Sequence, residues 1–85
     1  MDTVEVRWID AEACEDDRWC PLDEAKKYSS DTLKESRSVG YLLADEPSHI
    51  AIATSDGVDQ IGTIWKIPRG CIVAVSRLID GGPYV

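Results

Sequence analysis

The stretch from Gln60 to Ile79 places the strongest constraint on the fold, because two strand-like runs meet there at a three-residue break. Within Gln60–Ile67, one face of the run carries Ile61, Thr63, Trp65 and Ile67, and the other carries Gly62, Ile64 and Lys66. This alternation is the period of a β-strand. The break is Pro68-Arg69-Gly70, where proline cannot donate a ladder hydrogen bond and glycine tolerates a sharp turn. The run Ile72–Ile79 begins with consecutive apolar residues, which predicts a last strand buried on both sides.

Three further strands are predicted upstream of this stretch. Val4, Val6 and Trp8 alternate with charged residues and indicate a first, half-buried strand. The segment 37–54 contains two strand-like runs joined by a hairpin at 45–48, and the turn signal at 55–57 ends the second run. Gly40 interrupts the first of these two runs, and we expect it to permit a bend or a close backbone approach.

A short helix is predicted over Pro21–Tyr28, in the connection that follows the first strand. Proline suits the first helical turn, and acidic residues precede basic ones along the segment. A helix of two turns is unstable alone, so we expect it to dock on one end of the sheet. Trp19, just before the helix, is expected to fold back on the core or to lie at a pocket or interface. Asp10–Asp17 is interpreted as a solvated acidic loop.

The 85 residues predict one domain over 1–80 and a flexible C-terminal tail over 81–85. No apolar run approaches the roughly 20 residues of a membrane span, and the first residues do not have the pattern of a secretory signal, so we expect a soluble, cytoplasmic protein.

Three cysteines without a CxxC pair favour reduced thiols, with Cys71 buried. A disulfide between Cys14 and Cys20 is the open alternative. The net charge of −7 disfavours general nucleic-acid binding.

These elements predict an all-β fold, a small five-stranded SH3-like barrel with one short helix inserted after the first strand. SVGYLLAD, residues 38–45, resembles the first motif of Sm-like proteins, and GTIWKIPRGCIVAV, residues 62–75, resembles their second motif. The whole layout is also similar to small uncharacterised bacteriophage proteins. The Sm-like resemblance implies a homo-oligomer that assembles through exposed strand edges, as an unpaired edge strand would favour.

The candidate ligand-binding residues are basic, aromatic or imidazole side chains near the predicted turns. Arg69 lies in a turn, where its planar guanidinium can meet a phosphate or carboxylate, and Lys66 and Arg77 flank it in a basic cluster. A solvated loop is the alternative. Tyr41 and Trp65 either stack on a base or belong to the core. His49 is either an exposed turn residue or a ligand contact.

No catalytic signature, phosphate-binding glycine loop or set of metal ligands is present in the sequence, so we expect a protein that is not an enzyme and uses no metal or cofactor. The leading hypothesis is a non-enzymatic, oligomeric, phage-encoded binding protein that captures a nucleotide-type ligand between subunits. Its specific version is anti-defence sequestration of a cyclic-nucleotide immune signal. The alternatives are an acidic protein-interaction module that inhibits a host protein, and an Sm-like RNA-binding ring.

Overall fold

Five strands form one antiparallel sheet in the computed structural model, which describes residues 1–12 and 19–85. The elements in chain order are β1 (Thr3–Ile9), α1 (Leu22–Ser30), β2 (Glu35–Asp45), β3 (His49–Gly57), β4 (Gln60–Pro68) and β5 (Ile72–Arg77). A short 3-10 turn, Arg69–Cys71, joins the last two strands. The sheet order is β4-β3-β2-β1-β5. The predicted all-β fold, with one short helix after the first strand, is confirmed.

The core covers one face of this sheet, as the alternation in the sequence requires. Val4 and Val6 of β1 are buried together with Ile50, Ile52 and Ile67. Because successive side chains of a strand point to opposite faces, the residues between them lie on the other face of the sheet. Three larger side chains pack at the margin of the core and remain half-buried; they are Trp8, Leu42 and Ile72.

Gly40 lies where β2 passes closest to β3. A Cβ atom at this position would stand 2.5 Å from the backbone oxygen of Ala53, a separation that real Cβ atoms do not adopt. The close backbone approach predicted for Gly40 is therefore confirmed. Glycine is needed there because no side chain fits beside the neighbouring strand.

The last strand differs from its prediction. β5 ends at Arg77. Ile72 and Ala74 are half-buried and the other residues of the strand are exposed, so the expected burial on both sides is wrong. The physical reason is its position: β5 lies at a sheet edge beside β1, and a consecutive apolar run at an edge remains partly exposed. The turn expected at 55–57 is also displaced, because β3 continues through Gly57 and the turn falls at Val58 and Asp59.

The helix does not dock on the sheet, and this prediction is wrong. None of the side chains of α1 is buried, and Trp19 before it is fully exposed rather than folded back on the core. The radius of gyration is 17.4 Å, whereas a compact domain of this length has about 12 Å. We call residues 19–33 the arm. At its base, the backbone N–H of Lys34 donates to Glu12 Oε1 at 3.0 Å.

Some predictions fall on residues that the structure does not describe. The acidic loop Asp10–Asp17 and the possible bridge from Cys14 to Cys20 lie partly outside the described residues. Cys20 is exposed and Cys71 is half-buried, so the predicted burial of Cys71 is only partial. The domain limits at 1–80 and 81–85 stay a prediction. Among the described residues, no helix has the length and apolar character needed to cross a bilayer.

Candidate functional site

An open groove lies between the β2–β3 hairpin and β4, on the sheet face opposite the core. Its volume is about 770 Å³, which is within the usual range of roughly 300–1,000 Å³ for small-molecule sites. The lining residues come from β2, the hairpin, β3 and β4; they are Leu43, Ala44, Glu46, Pro47, Ser48, His49, Ala51, Ile64 and Lys66. We call this concave surface the groove.

The concavity follows from side-chain sizes on the central strand. Ala51 and Ala53 of β3 share this face. Both side chains are small, and both residues are buried between larger neighbours. Ala51 is paired with Lys66 of β4, and Ala53 with Ile64. Leu43 stands on the other side of β3, where the register of β2 shifts between Leu42 and Ala44. Small side chains between larger ones therefore leave an apolar trough.

Two nitrogen-bearing side chains line this trough. Lys66 is exposed and makes no ion pair within the described part of the chain, so its ammonium group is available. His49 is half-buried, and its Nδ1 lies 2.7 Å from Ser48 Oγ, which fixes the ring at the hairpin. The acidic residue of the lining is Glu46. Two of the predicted ligand-binding residues, Lys66 and His49, are thus brought together.

Arg69 holds the hairpin that forms one wall of the groove. Its Nη2 donates to Asp45 Oδ1 in an ion pair and to the backbone oxygen of Glu46 at 2.8 Å. The backbone N–H of Arg69 also donates to the carbonyl oxygen of Ser48 at 2.9 Å. We call these three contacts the clasp. The clasp joins the 3-10 turn to the β2–β3 hairpin, so the Arg69 guanidinium already has partners. Its role as a ligand contact stays a prediction.

The hairpin has its own closure in addition to the clasp. The backbone N–H of Glu46 donates to the carbonyl oxygen of His49 at 2.9 Å, and His49 N–H donates back at 3.3 Å. Pro47 and Ser48 therefore form a two-residue loop, with proline at the first central position, where its fixed φ suits a turn. Because both ends of the loop are tied, the groove wall that contains His49 is held in place.

The remaining predicted site residues lie away from the groove. Arg77 of β5 pairs with Asp2, with 3.3 Å between Nη2 and Oδ2, at the sheet edge opposite β4. The predicted cluster of Lys66, Arg69 and Arg77 is therefore not assembled. Tyr41 is paired with Ala53 on the groove side but does not line the groove. Trp19 lies on the arm.

Trp65 was predicted either to stack on a base or to belong to the core. It is paired with Ile52, which places it on the core face. Its side chain is nevertheless 51% exposed, because β4 is an edge strand and no strand covers its outer side in the sheet order. Trp65 therefore borders the core and is not part of the groove.

Sequence reasoning missed the apolar part of the groove. Ala51 and Ala53 alternate with Ile50 and Ile52, and this alternation was the available signal that β3 has one large-residue face and one small-residue face. The residues that lie beside each alanine on β2 and β4 could not be predicted, because they depend on the register of these two strands.

The groove offers two kinds of surface to a ligand. An apolar floor can receive a flat ring, and a lysine at the rim can receive an anionic group. In residues 1–12 and 19–85, no group of three or more potential metal ligands is close enough to hold a metal ion. Comparisons of the chain with protein-family models, with curated proteins and with solved structures give no significant match.

Proposed function

We propose that this protein is a non-enzymatic binding protein that captures a nucleotide-type ligand in the groove. The observation that supports this proposal is the combination of Lys66 and His49 with an apolar trough of about 770 Å³. A base needs an apolar surface for its face, and a phosphate needs a cation or hydrogen-bond donors. The trough supplies the first, and Lys66 and the hairpin supply the second.

The electrostatic setting favours a local site over general nucleic-acid binding. The chain carries a net charge of −7, so a long phosphate backbone is repelled by most of the surface. A small ligand with few phosphates meets only the charges at the rim of the groove. Cyclic di- and trinucleotides therefore fit the proposal better than RNA, and sequestration of such a signal by a phage-encoded protein is its specific form.

Homo-oligomerisation and an Sm-like barrel are part of the same proposal. β4 and β5 are the two edges of the sheet, and an unpaired edge is a template for another strand. The position of the last strand beside the first, and the short turn between β4 and β5, support a relationship to SH3-like and Sm-like barrels. An Sm-like RNA-binding ring is the less favoured form because of the negative net charge.

Isothermal titration with a panel of cyclic di- and trinucleotides tests the proposed function. We expect at least one member to bind with micromolar or better affinity, which corresponds to about −8 kcal/mol. Lys66→Ala should weaken this binding, whereas Lys34→Ala should leave it unchanged, because Lys34 carries the same charge outside the groove. Absence of binding across the panel would remove the proposal. Recovery of intact ligand after heat denaturation would separate capture from hydrolysis.

A protein-interaction module is the second candidate, and the exposed arm favours it. Trp19 and Leu22 are exposed beside the acidic pair Asp23 and Glu24. Exposed aromatic and apolar residues next to charges are typical of protein-binding surfaces. Neutral substitutions at both acidic positions should reduce pull-down of a basic host partner, and unchanged pull-down would exclude this candidate.

A further inference from the structure

The arm has large apolar side chains that are exposed in the described part of the chain. Leu22 is 69% exposed and Trp19 is fully exposed, and no side chain of α1 is buried. A nine-residue helix is too short to be stable in water without tertiary packing. Packing of this apolar surface on a partner would therefore stabilise the helix.

The groove of the same chain is remote from the point where the arm leaves the sheet. The arm ends at β2, whose first residue is Glu35, and the groove begins at Leu43. These positions are separated by about 26 Å of extended strand. The base of the arm is fixed there by the hydrogen bond from Lys34 N–H to Glu12. The arm thus joins β2 at the end of the strand that is away from the groove.

The arm and the groove have complementary chemistry. The arm combines Trp19 and Leu22 with the acidic pair Asp23 and Glu24 in the first turn of α1, and two lysines follow later in the same helix. The groove combines an apolar trough with the ammonium group of Lys66 on β4 and the carboxylate of Glu46 at the hairpin. Apolar surface can therefore meet apolar surface while opposite charges face each other, which is the arrangement that sets register at protein interfaces.

We propose that the arm of a second copy of this chain covers the groove, and that the ligand site is completed only in this assembly. The inference rests on the proposed function for the identity of the ligand, but the contact between the arm and the groove stands on its own. By two-fold symmetry each copy gives its arm and receives one, so both surfaces are satisfied in a closed dimer. Trp19 of the second copy then supplies a stacking surface above the apolar floor.

This arrangement gives each side chain a defined role. The three N–H donors of the Lys66 ammonium group allow it to pair both with the acidic turn of the incoming arm and with a ligand phosphate at the same rim. Trp19 stacks on the base of the ligand, a contact that contributes roughly 1–3 kcal/mol per base, so that its loss weakens binding roughly 5- to 150-fold. Neither role requires the Arg69 guanidinium, which stays in the clasp.

Charge reversal tests the contact without any ligand. In native mass spectrometry and light scattering at micromolar concentration, we expect the wild type at twice the 9.4 kDa of one chain. Lys66→Glu alone should give monomers, and so should the arm variant with Asp23→Lys and Glu24→Lys. An equimolar mixture of these two variants should form heterodimers, because each acidic arm then meets Lys66 and each basic arm meets Glu at position 66. Arg37→Glu, a charge reversal on β2 outside the arm and the groove, is the matched control and should remain dimeric.

The outcomes separate this inference from the proposed function. A monomeric wild type, or a dimer that is indifferent to these charges, would overturn the arm–groove contact. A dimer that depends on the charges but binds none of the nucleotides would establish the contact and remove the proposed ligand. If a nucleotide binds, Trp19→Ala should weaken it within the stated range and Trp19→Phe should retain most of the affinity; equal binding by Trp19→Ala would exclude the composite site.

Discussion

Substitution of Arg69 by alanine distinguishes a structural clasp from an anion-binding side chain. The change removes the ion pair with Asp45 and the hydrogen bond to the Glu46 carbonyl oxygen. The side chains of Arg69 and Asp45 are 42% and 63% exposed, so solvent screens the pair and it contributes about 0.2–1 kcal/mol. The second hydrogen bond adds about 0.5–1.5 kcal/mol. We therefore expect Arg69→Ala to lower the free energy of unfolding by roughly 1–2 kcal/mol.

Urea and thermal unfolding measure this loss. For a domain of this size the melting temperature should fall by roughly 5–10 °C. Asp45→Ala should cost less than Arg69→Ala, because the contact to the Glu46 carbonyl remains. Lys34→Ala is the control, since Lys34 has no part in the clasp or the groove and its loss should leave stability unchanged. The difference between Arg69→Ala and the wild type should shrink at high salt, as an exposed ion pair requires.

The binding assay decides between the two roles of Arg69. If the clasp is structural, Arg69→Ala lowers stability and weakens ligand binding only modestly, through a looser hairpin wall. If Arg69→Ala leaves stability unchanged and abolishes binding, Arg69 is a ligand contact and the reasoning from its observed partners is refuted.

Three further substitutions test the fold. Gly40→Ala should destabilise the protein by roughly 1–3 kcal/mol, because its Cβ would meet the Ala53 backbone oxygen, and a stability equal to wild type would contradict the close approach. Val58 has φ of 65° in the β3–β4 turn, so Val58→Gly should raise the free energy of unfolding by about 1–2 kcal/mol in urea melts, whereas a loss would show that the turn is unstrained. Trp65→Ala should cost less than the roughly 3–5 kcal/mol of a buried tryptophan, since half of its surface is exposed, and a full-sized loss would mean that it is covered in solution.

The strands could be predicted from the sequence because their alternation is local. Val4 and Val6 mark the buried side of β1, and Ile50 and Ile52 mark that of β3, without any knowledge of their neighbours. Gly40 was likewise identifiable, since glycine within an apolar strand has few other uses.

The candidate site was harder to predict because it depends on register and strand order. Lys66 and Arg77 lie within eight residues of Arg69 in the sequence. They belong to β4 and β5, however, which are the two edges of the sheet. Arg69 was correctly placed in a turn, but its partner Asp45 lies 24 residues away and follows only from the pairing of hairpin and turn.

The arm shows a different limit of sequence reasoning. Helix-forming residues and the need for packing were both visible, and the economical expectation was that Leu22 would dock on its own sheet. The structure leaves Leu22 and Trp19 exposed. The amphipathic pattern of α1 predicts that its apolar side packs against a partner. The pattern does not tell whether this partner is the same chain or another copy.

Amide chemical-shift mapping during titration with the tightest-binding nucleotide tests the central claim, that the groove is the binding site, most directly. We predict that the largest shifts fall on the backbone amides of 43–46, 48–51 and 64–66 and on the indole N–H of Trp19, while the edge around Arg77 is unaffected. Shifts that are centred on Arg77, or spread evenly over the sheet without a maximum at Lys66 and His49, would contradict the claim.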